Sequence, residues 1–253
     1  MIPLFKSQYS LGRSILTLES RESLLDEGPD SIVDLATQSS LKEVYLVDDC
    51  MSGFLQAYKN LSEENIKLIF GLRISICADM SDRSEEQIKK TSKYIIFCKN
   101  VEGYKRLIKI STNASREGFY YHPRIDFKSL RNFWDDDLLM LCVPFYDSFL
   151  HNNLLKGNVC VPEFTFTNPT FFIEDNSLPF DNLLGEAVSK YADMNNFEIQ
   201  QAKSIFYAKE EDFKAYLTFR CVNNRSILDK PNLDHMCSSK FSFETWRKEY
   251  GSV

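Results

Sequence analysis

The chain has 253 residues, 43% hydrophobic and 26% charged, with a net charge of −6. This is the make-up of a globular protein long enough to bury a substantial core, and its acidic balance excludes generic coating of nucleic acid. No apolar run approaches membrane-spanning length, and Met1-Ile2-Pro3-Leu4-Phe5-Lys6 is too short an apolar stretch for a secretory signal, so a soluble, cytoplasmic protein with no membrane partner is expected.

Short apolar runs alternate with amphipathic ones, a pattern that predicts strand–helix alternation and a mostly parallel sheet. Strands are predicted over 2–6, 44–47, 68–77, 94–99, 138–143, 171–174 and 204–207. Several of these runs are continuously apolar, as expected of strands covered on both faces. Between them, Asp30 is placed to cap a helix over 31–38, whose Ile32, Leu35 and Ala36 form one stripe. Further helices are predicted over 52–59, 101–114, 181–194 and 210–220. In the second of these, Tyr104, Leu107, Ile108 and Ile110 fall at helical spacing and read as core rather than as a cofactor box.

Asp135-Asp136-Asp137 lacks the alternating spacing and terminal glutamate of a calcium loop and reads as a solvated turn. Residues 223–253 have weak periodicity and are expected to wrap the domain as an irregular tail. Seven cysteines, Cys50, Cys77, Cys98, Cys142, Cys160, Cys221 and Cys237, are scattered without paired spacing and read as reduced thiols used as small hydrophobes.

Barrels of alternating strands and helices carry their chemistry at the carboxyl ends of strands. Those ends hold Asp48-Asp49, Lys99-Asn100, Glu174-Asp175 and Tyr207. Asp48 and Asp49 are adjacent on a strand and so point opposite ways, which works against their sharing one metal; capping of the helix that follows near Met51 is the alternative. The three histidines, His122, His151 and His235, form none of the clustered patterns of hydrolytic metal sites, and neither a GxSxG turn nor a phosphate-binding P-loop is present.

Two stretches carry a family likeness: Lys99-Asn100-Val101-Glu102-Gly103-Tyr104, and the run from Glu117-Gly118-Phe119-Tyr120 through Tyr121-His122-Pro123-Arg124 to Ile125-Asp126. They resemble the PHP (polymerase and histidinol phosphatase) phosphoesterase domain of bacterial DNA polymerase III alpha subunits. That family opens with HxHS and then YSLLDG, where this chain has Leu4-Phe5-Lys6-Ser7 and Tyr9-Ser10-Leu11-Gly12-Arg13. The family's LTDHG resembles Leu46-Val47-Asp48-Asp49-Cys50, and its IKPIIGCE resembles the run from Ile66 to Arg73. The histidine that opens the next strand falls near Lys93, and NDVHY resembles Lys203-Ser204-Ile205-Phe206-Tyr207. No residue near Cys142 and Val143 is assigned to the remaining ligand of the family.

The resemblance spans almost the whole chain and ends about where the polymerase palm would begin. It implies an α/β fold, a distorted (β/α)7-type barrel with mostly parallel strands over 1–222, the extension over 223–253 packing on the same domain. Of the family's metal ligands it leaves Asp48 alone. Leu4, Lys6, Arg13, Asp49, Arg73, Lys93, Ser204 and Phe206 stand where other ligands would be, a vestigial site with no catalytic residue, no metal and no cofactor. Four of these, Lys6, Arg13, Arg73 and Lys93, are cations. They either plug the old pocket with ion pairs or make a metal-free anion pocket.

The function implied is that of a free-standing, catalytically inactive PHP-like protein, a replication accessory, docking or decoy module bound to a polymerase or proofreading exonuclease subunit. The alternatives are residual phosphoesterase or 3′–5′ exonuclease activity through Asp48 and Asp49, and a phosphate or single-strand nucleic-acid binding module using the cations. In that last reading Tyr120 and Tyr121 would be exposed; packing on the barrel is the expectation for both. The compact, Phe-rich chain suits a phage or small-genome origin.

Overall fold

The computed structural model describes residues 1–23, 28–229, 236 and 238–251, so His235 and Cys237 lie outside the described residues. Its strands are β1 (Ile2–Phe5), β2 (Glu43–Asp48), β3 (Lys67–Cys77), β4 (Ser92–Cys98), β5 (Arg124–Asp126), β6 (Leu139–Val143), β7 (Thr170–Ile173) and β8 (Glu198–Ile205). Seven of them close a ring, β1–β2–β3–β4–β6–β7–β8 and back to β1, with β5 added to the far end of β3. Every neighbouring pair is parallel except those made by β4, which runs against both β3 and β6. The expected mostly parallel barrel is therefore present.

Alternation along each strand sorts side chains to two faces. Leu4, Val47, Ile95, Phe97, Cys142 and Phe172 fill the inside of the ring, while Phe5, Leu46, Phe70, Leu72, Ile96 and Phe171 pack under the helices. Burial on both faces is why these strands read as continuous apolar runs.

The helices are α1 (Ile32–Gln38), α2 (Phe54–Glu63), α3 (Val101–Arg116), α4 (Phe127–Arg131), α5 (Phe149–Leu155), α6 (Asp181–Asn195), α7 (Phe213–Asn224) and α8 (Phe243–Tyr250). Ser31, not Asp30, caps α1: its hydroxyl accepts from the Val33 amide at 3.1 Å. Asn100 does the same for α3, accepting from the Gly103 amide at 2.9 Å.

Five further expectations are corrected. Ile108 faces outward at 43% exposure, since only Leu107 and Ile110 of its group turn fully into the core. Tyr121 is 79% exposed with φ of 60°, so it does not pack on the barrel, whereas Tyr120 is half-buried beneath the Arg124 guanidinium. The predicted last strand begins earlier, because β8 starts in a Glu198-Ile199-Gln200-Gln201 run whose single apolar residue, Ile199, is too weak a signal for a strand. The predicted helix over 210–220 begins as a 3-10 turn at Glu210–Asp212 and continues as α7. The tail is not wholly irregular: α8 is capped by Ser242 and buries Phe243 and Trp246 in the main core.

Candidate functional site

The carboxyl ends of β1, β2, β6, β7 and β8 open at one mouth of the barrel. Since β4 runs the other way, its first residues, Ser92 and Lys93, reach that same mouth. Lys6 follows β1, Asp49 follows β2, and Glu174 follows β7. Arg73 projects from the inward face of β3, sharing it with Gly71, while Asp147 sits in the turn between β6 and α5. A cavity of about 50 Å³ lies here, walled by Leu4 and Phe206 on its apolar side and by Lys6, Arg73, Asp147 and Glu174 on its polar side.

Two carboxylates organise the cations. Asp49 Oδ1 accepts from Arg73 Nη1 at 3.2 Å and meets Lys6 Nζ at 3.4 Å. Asp147 Oδ2 takes Arg73 Nη2 at 2.6 Å and Arg13 Nη1 at 3.2 Å, and its Oδ1 takes Lys156 Nζ at 3.1 Å. Arg73 thus spans both acids with the two ends of its planar fork, a geometry an ammonium group does not offer. Lys6 completes its shell by donating to the Val47 carbonyl at 2.9 Å.

Two further acids are held by neutral donors. Asp48 is fully buried and points away from the cavity. It accepts from Ser7 N at 2.9 Å, Ser7 Oγ at 2.6 Å and Ser10 Oγ at 2.7 Å. It does not cap α2, whose first turn follows Gly53 with no side-chain cap. Glu174 accepts from Ser204 N at 2.7 Å, Ser204 Oγ at 2.8 Å and Asn176 Nδ2 at 3.0 Å.

Burial and charge pull these groups in different directions. Burial alone would raise the Asp49 carboxyl, but Lys6 and Arg73 outweigh it and hold the group well below the usual carboxylate range. The same contest at Asp147 is won by Arg73, Arg13 and Lys156. Asp48 and Glu174 are pushed upward, since burial exceeds the help of their hydroxyl and amide donors. Burial, with repulsion from Arg73, lowers Lys6 and Lys93 to about 8 each, Asp49 offsetting part of the shift at both.

The structure therefore brings Lys6, Arg13, Asp49 and Arg73 into one network and sets Leu4, Ser204 and Phe206 in the wall of the same cavity. Lys93 joins it through charge alone, and Asp48 is turned aside. The hub that sequence reasoning missed is Asp147. Its φ of 60° is a backbone state that Asp tolerates better than most residues, but no motif marks it.

This donor set does not fit a divalent ion. Four of the positions are cations, two are apolar, and each nearby carboxylate is already engaged by N–H or O–H donors. Among the described residues no group of three or more His, Cys, Asp or Glu side chains is placed to hold a metal ion.

Comparison with known proteins agrees with the barrel. A family model described as the PHP domain matches residues 20–164, more than half of the chain. DNA polymerase III subunit alpha of Aquifex aeolicus is 28% identical over 245 residues, 89% of this chain and 21% of the relative. The Treponema pallidum subunit is 28% identical over 233 residues, 86% and 20% respectively. The Helicobacter pylori J99 subunit is 38% identical over 120 residues, 46% of this chain and 10% of the relative. The chain thus spans between a tenth and about a fifth of the length of these relatives.

Proposed function

Because this chain belongs to the PHP domain family and is similar to DNA polymerase III alpha subunits over most of its length, we propose that it serves DNA replication as a non-catalytic module that docks on a polymerase or proofreading exonuclease subunit. The observation that carries the non-catalytic part is Arg73 bridging Asp49 and Asp147. A guanidinium fixed between two acids takes up the ground that a metal would need, and offers no means of lowering the pKa of a water. Asp48 and Asp49, the acids that a residual phosphoesterase would rely on, face apart, one sealed by serines and the other by cations.

The docking part draws support from an apolar groove of about 380 Å³ between α2 and α3. There Phe54 stacks on Tyr104 with ring centroids 3.7 Å apart, while Tyr58 and Val101 stay 55% and 70% exposed. Clustered exposed apolar side chains of this kind mark interaction surfaces more often than scattered ones do.

The test mixes the purified chain with a polymerase III catalytic subunit and, separately, with its proofreading exonuclease, and follows each by light scattering. A complex with one of them, weakened by Val101→Glu, is expected, together with no phosphodiesterase turnover in manganese or zinc. Turnover that a chelator abolishes would overturn the non-catalytic reading, and failure to bind either subunit would overturn the docking one.

A further inference from the structure

The helical shell has a gap between α2 and α3, and the order of the chain explains it. Where consecutive strands of the ring run parallel, an α-helix crosses between them over the outside: α1, α2, α5 and α6 each make such a crossing. β3 and β4 are antiparallel and are joined by a short 3-10 stretch, Glu85–Lys90, so among the described residues no α-helix links them. α2 packs on β3, and α3 packs on β4 and β5. The slot left between the two helices is the apolar groove, with Leu68 and Phe70 of β3 as its floor.

Its walls are two apolar stripes. Phe54 and Tyr58 lie one turn apart on α2, and Val101, Tyr104 and Ile108 fall at i, i+3 and i+7 on α3. Phe54 ties the walls together, stacking on Tyr104 and meeting Phe70 edge-on with ring centroids 5.3 Å apart. Tyr58, Val101 and Ile108 are left open to solvent. Charge surrounds the stripe on α3 unevenly. Lys99 lines the slot, and Lys105 and Lys109 come next around the helix, all three exposed. Glu102 offsets one of them through an exposed pair with Lys105 at 2.6 Å, a pairing that a guest carboxylate can displace.

Hydrogen bonding decides what can fill the slot. β3 is paired by β2 on one side and β4 on the other, and β4 is paired again by β6. The floor therefore offers no free strand edge, and a guest cannot dock by adding a strand. It must satisfy its own backbone, which against an apolar surface means a helix. Size agrees. A groove of about 380 Å³ equals roughly thirteen water volumes, room for two or three large apolar side chains, the number that an amphipathic helix projects at i, i+4 and i+7. We infer that the slot between α2 and α3 receives one amphipathic helix of a protein partner, apolar along the stripe that enters and acidic along the flank that meets Lys99, Lys105 and Lys109.

We rest this on the docking reading of the groove and add the kind of element that docks; the experiment separates the two. The probe is a labelled synthetic helix of about 15 residues with leucines at i, i+4, i+7 and i+11 and glutamates on the flanks. Beside it run a scramble of the same composition and a twin with lysines in place of the glutamates. Each is titrated against the whole chain by fluorescence anisotropy. Saturable one-site binding of the glutamate-flanked helix is expected, with the scramble and the lysine twin each weaker by about tenfold or more.

Val101→Glu and Tyr58→Ala should each weaken that binding about tenfold, whereas Leu183→Glu, at an exposed apolar position on α6, should leave it unchanged. Circular dichroism confirms that each variant is folded. No saturable binding of the glutamate-flanked helix, or binding indifferent to both Val101→Glu and Tyr58→Ala, overturns the inference. So does a complex with the polymerase or exonuclease subunit that excess peptide fails to displace, although the docking reading would then stand. Peptide binding of the expected pattern with neither subunit forming a complex would instead overturn the docking reading and leave the slot's preference for an acidic helix supported.

Discussion

Arg73 and Asp147 hold each other at 2.6 Å inside a mouth where both are largely buried, so water does little to compensate either charge. Removing Asp147 would leave Arg73 with Asp49 alone and take from Arg13 its ion pair, and breaking a buried pair by deleting one charge costs more than the pair contributes. Asp147→Asn should therefore destabilise the fold by about 3 kcal/mol at pH 7 in urea unfolding. The pH dependence has a definite sign. The folded pKa of Asp147 lies well below its ordinary 3.8, so its contribution is complete above that value and is lost as pH falls through the folded pKa. The difference between wild type and variant should be flat from neutral pH down to about 5 and shrink below about 4.

Lys93 predicts the opposite behaviour. Its folded pKa of about 8 is below the ordinary 10.5, so between those values the unfolded chain binds the additional proton and stability rises with pH. Below 8 the cost of the unpaired ammonium is fully present. Lys93→Met should accordingly stabilise the protein at pH 7 by about 1 kcal/mol, a gain that fades by about pH 10. A variant no more stable than wild type at pH 7 would show that Lys93 is already compensated.

Among the elements, β4 determines where the site can be. Were it parallel like its neighbours, Lys93 would lie at the opposite end of the barrel from Arg73's partners. Its following helix is fixed by a close approach: a Cβ on Gly103 would sit 2.2 Å from the Leu138 carbonyl oxygen, which also accepts from the Lys99 amide. Gly103→Ala should force α3 away from the start of β6 and cost about 2 kcal/mol, measurable as a lowered urea midpoint. A neutral result would mean that the helix shifts without penalty.

The same elements show what could be read from the amino acids alone. Long apolar strands such as β3 and well-capped amphipathic helices such as α3 carry their signal locally, through pattern and through Asn100. β5, α4 and α5 are three to seven residues long, too short for a period to register, and polar β8 is a strand only because β1 and β7 flank it. The site divides in the same way. Lys6, Arg13, Arg73 and Lys93 were legible as cations in places where the resemblance sets ligands. Asp147 was not, since it lies 134 residues from Arg13 and 74 from Arg73 and meets them only once the ring closes.

At the scale of the whole molecule, the barrel closes around charge. Relatives over most of this chain are DNA polymerase III alpha subunits, and the mouth of its seven-stranded ring is tied by Arg73, Asp49 and Asp147. Stability should then be indifferent to chelators and sensitive to salt only weakly, because the central pairs are shielded from solvent. The most direct test is metal content: elemental analysis of protein produced in zinc- and manganese-supplemented medium, paired with thermal unfolding before and after chelation. The prediction is well under one equivalent of any transition metal per chain and an unchanged melting temperature. One or more equivalents bound, with the melting temperature falling when they are removed, would contradict it.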